Sequence, residues 1–321
     1  MNIKKIGLTA LAASLVSVSA QAGEMSVAGG ASMAIKNNSG VDAGKAITMG
    51  NQLTFTGGGE LDNGLNVSLS FVLDHLDNDA TGTKSGFDSH SITVSSDALG
   101  SITIAGDGAG NAQSALDTTA AGDIWNNGFK AGAADTAYVA MAGSDASDSS
   151  VNYTLPTLVD GLSISASYSS GGLAVDSTTA FGATYTGVEG LSVSYGVGEN
   201  GSTVATTSGD VTTMKASYAI GSFTAAVSNT ESDKDSTGTD EEMDSWQLSY
   251  TVSDNLSISY GEETHETSGQ TVDEEFDAIS VSYTTGGMTI TAANYEASGI
   301  ANTTGEAGEA NRWKLAASFA F

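Results

Sequence analysis

The sequence predicts an all-β fold: a transmembrane antiparallel β-barrel of sixteen strands. Three observations predict it. Apolar residues recur with period two in segment after segment. The connections between those segments are alternately tight and long. A single apolar run at the N-terminus ends before the alternation begins, and no later stretch approaches the ~18 consecutive apolar residues of a membrane helix.

The N-terminal run comes first. Lys4 and Lys5 precede an apolar stretch from Ile6 to about Ala20, which closes on Ala20-Gln21-Ala22. A short basic segment, an apolar core and small residues at the cleavage position form the pattern of a secretory signal peptide. Residues 1–22 are therefore expected to be removed, leaving one domain over 23–321. Of the 10 basic residues Lys4 and Lys5 leave with that segment, so 8 face 38 acidic ones, a net charge of −30. Such a surface repels nucleic acid. The chain has no cysteine, so disulfides and thiolate metal sites are excluded.

The strands follow in order. Leu65, Val67, Leu69, Phe71 and Leu73 alternate with mostly polar residues, as do Leu162, Ile164, Ala166 and Tyr168. Leu191 to Val197, Trp246 to Val252, Leu256 to Tyr260 and Trp313 to Phe321 repeat the pattern. Side chains alternate across a strand, so each segment has one apolar and one polar face. Strands are expected at 24–35, 48–57, 64–74, 88–96, 101–106, 150–155, 161–170, 178–187, 190–198, 211–219, 222–230, 243–252, 255–263, 275–284, 287–296 and 311–321.

A soluble sandwich alternates too. The segment lengths are close to the ~9–11 residues of a tilted spanning strand. The polar face carries mostly Ser, Thr, Gly and Asn, and the acids are expected between strands. Tight connections such as Asp97-Ala98-Leu99-Gly100, Ser253-Asp254 and Thr285-Gly286 alternate with longer acidic ones such as 231–242 and 264–274. Short turns at one end and long loops at the other mark an outer-membrane barrel. Closure pairs every edge, and sixteen strands leave an aqueous channel. Tyr153, Tyr168, Tyr185, Tyr218, Tyr250, Tyr283 and Tyr295 near strand ends suit interfacial girdles.

One connection breaks the pattern. Residues 107–149 carry Asp107, Asp117, Asp123, Asp135, Asp145 and Asp148 against Lys130, with Trp125 and Phe129. Loops this long are usually functional or disordered. Ala134 to Ala142 could form a further strand, but that would make the count odd, so it is kept within the loop.

Other motifs carry less. His75, His90 and His265 lie at or near strand ends or loops, without the convergent partners of a triad or metal site, and read as surface residues. Gly106-Asp107-Gly108-Ala109-Gly110 lacks the third glycine of a phosphate loop and precedes no helical pattern. Asp233, Asp235 and Glu241 imitate part of a calcium loop, but its fifth and twelfth positions are Thr237 and Asp244; weak Ca2+ binding is the most this allows. No cofactor is expected.

The sequence resembles the Gram-negative general porins, specifically the alphaproteobacterial type. GEMSVAGGASMAI (residues 23–35) resembles that family's first strand. SVNYTLPTLVDGLSISASYS (Ser150–Ser169), with Pro156 and Gly161 in its turn, resembles the strand–turn–strand after the constriction loop. The terminal RWKLAASFAF resembles the last strand, where Phe321 would be the signal read by the barrel-assembly machinery. The resemblance spans the mature chain and implies a homotrimer in outer-membrane lipid and lipopolysaccharide. It also implies a third loop folded into the lumen and diffusion of small hydrophilic solutes and ions, with no enzyme activity. A barrel enzyme or an adhesive surface protein are the alternatives, and bilayer conductance separates them.

Family members commonly place an arginine cluster opposite the acidic loop; here Arg312 is the one arginine. Strand parity nevertheless suggests a basic wall. Trp313 and Leu315 face lipid, so Arg312 and Lys314 face the lumen; Met33 and Ile35 face lipid, so Lys36 faces the lumen at its strand's end. The expected constriction sets Asp107, Asp117, Asp123 and Asp135 against these three cations. The acidic charge predicts cation preference.

Overall fold

The computed structural model describes residues 25–40, 44–76, 89–107, 110–116, 119–125, 144, 149–171, 176–201, 208–235 and 239–321. The expected signal segment 1–22, the segment Ala134 to Ala142, Lys130, Asp117, Asp135, Asp145, Asp148 and the side chains of His75 and Asp107 lie outside the described residues.

Sixteen strands form in chain order: β1 Met25–Gly40, β2 Gly44–Glu60, β3 Asn66–Leu76, β4 Ser89–Ser96, β5 Gly100–Asp107, β6 Ser150–Thr154, β7 Leu162–Ser169, β8 Thr178–Tyr185, β9 Leu191–Asn200, β10 Gly209–Ile220, β11 Phe223–Lys234, β12 Glu241–Ser253, β13 Leu256–Thr267, β14 Glu274–Thr285, β15 Met288–Ser298 and β16 Ala310–Ala320. Neighbours in sequence are neighbours in the sheet, and β1 pairs antiparallel with β16, so the barrel closes. Gly29 and Phe321 exchange backbone hydrogen bonds of 2.7 and 2.9 Å at that seam. Tight turns such as Gly221-Ser222 and Gly286-Gly287 need the left-handed conformation at their first residue; φ is +58° at both Gly221 and Gly286.

Every expected strand is present, but several run further. β1 and β2 continue past their expected ends at residues 35 and 48, pairing Lys36 with Ala46 and Asn38 with Gly44. Lys36 is thus within its strand rather than at its end. On β1 the extension, Lys36 to Gly40, carries no apolar side chain, so hydrophobic alternation does not mark it; on β2 it adds Ile47, opposite Ile35.

The wall has two chemistries. Met33, Ile35, Leu53, Leu69, Phe181, Tyr195, Trp246, Leu248, Tyr250, Trp313 and Leu315 are exposed. Residues of the opposite parity hydrogen-bond one another: Thr93 to Thr103 at 2.8 Å, Thr184 to Ser194 at 2.9 Å, and Ser259 to Ser280 at 2.7 Å. An apolar band of this extent is far beyond what a soluble monomer exposes, and it fits hydrocarbon. Cross-strand aromatics reinforce it, with Phe55 stacked on Phe71 at 5.0 Å and Trp246 beside Tyr260 at 5.5 Å.

The acids correct an expectation. Many lie within strands, not between them, and on the outward parity above the apolar band. Glu262, Asp277 and Glu296 stand opposite one another across β13, β14 and β15. Glu231 faces Glu242, and Asp210 faces both Glu199 and Asp233. The strands are longer than their apolar spans, and the added length projects these carboxylates above the band.

Candidate functional site

The chain between β5 and β6 turns back against the inward parity of the wall. Ala112 N–H donates to Ser167 Oγ on β7 at 2.9 Å, and Gln113 Nε2 to Thr213 Oγ1 on β10 at 2.8 Å. Ala120 and Ala121 N–H donate to Ser245 Oγ on β12 at 3.1 and 2.9 Å. Gln247 Nε2 and Lys215 Nζ donate to the carbonyls of Ala121 and Thr119 at 3.0 and 2.7 Å. The described loop residues therefore lie inside the barrel, along β7 to β13.

Missing side chains make the seat. A Cβ at Gly182 would come within 2.3 Å of the Ala112 carbonyl oxygen, and one at Gly196 within 2.7 Å of Leu116 Cδ1. These two glycines are opposite one another in register. At Gly261 a Cβ would come within 2.9 Å of Ala121 Cβ. Each glycine allows the loop to approach the wall's backbone.

The strongest hold is at Glu263 on β13, which is fully buried. Its carboxylate accepts from Ile124 N–H at 2.9 Å and from Trp125 N–H at 3.3 Å. A buried amide left without its acceptor costs roughly 1–3 kcal/mol. Beyond this clamp Ile124 and Trp125 enter an apolar cluster with Met243, Phe276, Ala293, Tyr295, Ala297, Ile300 and Ala310. This small core inside the lumen joins the long loop, the wall from β12 to β16, and the last loop.

The expected constriction residues distribute as follows. Lys36 and Lys314 are directly opposite across the β1–β16 seam, and Arg312 stands opposite Asn38, whose Oδ1 accepts from Arg312 Nε. The three cations do gather on one wall. Arg312 is 1% exposed, however, so it is packed into the wall. Asp123 has a left-handed backbone, φ 55°, and its N–H donates to Thr119 Oγ1 at 2.7 Å. It precedes the Glu263 clamp on the β13 side. Asp107 ends β5, opposite His90.

Asp233 and Glu241 fall on opposite parities of β11 and β12, and among the described residues no group of three His, Asp or Glu side chains is arranged to hold a metal ion. His265 corrects the surface reading: it is fully buried on the inward parity of β13. The polar row Ser257, Ser259 and Gly261 continues to Glu263 and His265, so two-residue periodicity alone could have placed both inside.

Sequence reasoning missed the wall residues that hold the loop: Ser167, Lys215, Ser245, Gln247 and Glu263. The signal available was their inward parity. Which loop atoms they would meet was not encoded locally.

The fold has many solved counterparts. A porin refined at 1.8 Å resolution superposes with TM-score 0.67 at 16% identity, over 93% of this chain and all of that one. An anion-selective porin from Comamonas acidovorans gives 0.68 at 14% identity, covering 92% and 99%. OmpT, an outer membrane protein of Vibrio cholerae, gives 0.62 at 17% identity, covering 93% and 98%. A search of curated proteins finds no match. The family model for Gram-negative porins matches residues 7–321. With a closed sixteen-strand wall, an apolar exterior and a loop seated within, this chain belongs to the Gram-negative porins, the channel-forming barrels of the outer membrane.

Proposed function

We propose that this porin passes small hydrophilic solutes and ions without a dedicated binding site, preferring cations, and that loop 107–149 forms its constriction. The observation that carries this reading is the loop seated against the polar face of the wall, on hydrogen bonds from β7 to β13. A loop so placed narrows the channel without closing the barrel. Asp123 belongs to its acidic side, with Asp107, Asp117 and Asp135; Lys36 and Lys314 face it from the seam, with Arg312 behind them. The net charge of −30 left once Lys4 and Lys5 depart supports cation preference, because carboxylates at a narrow mouth raise the local cation concentration. Residues 1–22 direct export and are removed, Phe321 marks the strand for assembly, and the assembled form is a homotrimer.

Purified protein in a planar bilayer under a potassium chloride gradient tests this. Stepwise conductance with a cation-selective reversal potential is expected. Absence of conductance overturns the pore, and anion selectivity overturns the preference.

A further inference from the structure

The last loop, residues 299–309, is tied into the lumen by groups that the constriction does not use. Ile300 is 1% exposed and packs in the cluster that holds Ile124 and Trp125. Ala301 N–H donates to Glu274 Oε1 at 2.7 Å, and the other oxygen of that carboxylate is 2.9 Å from His265 Nδ1. Glu274 and His265 are both fully buried. His265 Nε2 points toward Glu241 Oε1 at 4.0 Å, with Lys234 Nζ 3.9 Å from the other Glu241 oxygen. The wall thus presents a row of four polar groups on β11 to β14, and only Glu274 reaches the loop's backbone among the described residues.

The loop's own conformation is strained. Ala301 and Asn302 both have φ 54°, in the left-handed region that non-glycine residues seldom occupy. Such conformations persist where the surroundings over-determine them. Here the surroundings are the buried Ile300 side chain and the Glu274 acceptor. Without either, the segment has a local incentive to relax, and relaxation withdraws Ile300 from Trp125.

We propose that loop 299–309 is a second constricting element, latched over Ile124 and Trp125, and that Glu274, itself oriented by His265, is the positioning residue of the latch. The proposal rests on the pore reading, since its consequence is a change in passage. The latched loop covers the inner core at the long-loop end of the barrel. Released, it uncovers Ile124 and Trp125 and widens the entrance.

The chain has no cysteine, so a single introduced thiol reports the latch. Ala297→Cys, which places the thiol in the same buried cluster and keeps Ile300, is labelled with a membrane-impermeant maleimide in the assembled protein, alone and combined with Glu274→Ala or Glu274→Gln. Slow labelling is expected alone, faster labelling with Glu274→Ala, and return to the slow rate with Glu274→Gln, whose amide oxygen still accepts from Ala301. Single-channel conductance of Glu274→Ala, with Ile300 intact, should shift upward with added flicker, and Glu274→Gln should restore it. If Glu274→Ala fails to assemble, Ile300→Gly, which removes the same anchorage from the loop side, should give the same shift. Equal labelling in all backgrounds overturns the latch. Faster labelling with unchanged conductance overturns its role in passage. A wild-type protein that conducts nothing overturns the pore reading, whereas the labelling contrast still reports the latch.

Discussion

On β12, Ser245 and Gln247 hold the backbone of the inner loop, while Trp246 and Leu248 beside them project outward. The same strand serves two solvents, and its two faces depend on different terms. The outer face is stabilised by area: each large apolar side chain removed from water contributes about 1.5–3 kcal/mol, whatever its neighbour. The inner face is stabilised by geometry. Glu263 serves because two amides are aimed at it, and Gly182 because nothing else leaves room for Ala112. Outer positions should therefore tolerate exchange among apolar residues, and inner positions should tolerate little change where the loop is seated.

The largest expected effect tests parity itself. Leu248→Arg places a charge in the apolar band and should cost ~2–4 kcal/mol. Thr251→Arg, on the inward parity of the same strand beyond the residues that hold the loop, should leave stability near that of the parent. Equal costs in urea unfolding from lipid vesicles would mean that the two faces are misassigned. Next is deletion of Phe321, which removes the two backbone bonds to Gly29 and the ring over it. Yield of heat-stable oligomers should fall sharply with export intact.

Glu263→Ala leaves the Ile124 and Trp125 amides buried without their acceptor, at roughly 1–3 kcal/mol. Open-channel noise should rise and the barrel should persist; unchanged noise would mean that the loop is held elsewhere. The smallest effect concerns the outer acids. Asp244→Asn/Asp277→Asn should barely move the reversal potential, because salt screens exposed charges beyond about 8–10 Å. Lys36→Ala/Lys314→Ala, inside, should strengthen cation preference. A larger shift from the outer pair would reverse the comparison.

The strand number, the pairing order and the gathering of Lys36, Arg312 and Lys314 were legible because they depend on period and closure alone. Even β5 and β6, short and flanking the long loop, are where alternation and turn residues put them. The extended end of β1 was not legible: Asn37, Asn38 and Ser39 are polar on both parities, and backbone pairing leaves no compositional mark. The outward acids could have been read by extending the count, since Glu262 follows Tyr260 by two. Taking acids as loop residues hid them. The seat of the inner loop had no local signature, because Glu263 and Trp125 are brought together by the whole curvature of the wall. His265 was misread for a similar reason; its burial is supplied by Glu274 and by packing from other strands.

The seam between β1 and β16 also sets the order of events in making the molecule. The first strand to leave the export machinery finds one of its partners only when the final residue has arrived. Until then one flank of the sheet is open, and it is the flank a second nascent copy would fit as well as the proper partner does. Contacts between the two ends of a chain are the slowest kind to form. The backbone hydrogen bonds between Gly29 and Phe321 belong to that seam, so they form only as the sheet becomes a barrel.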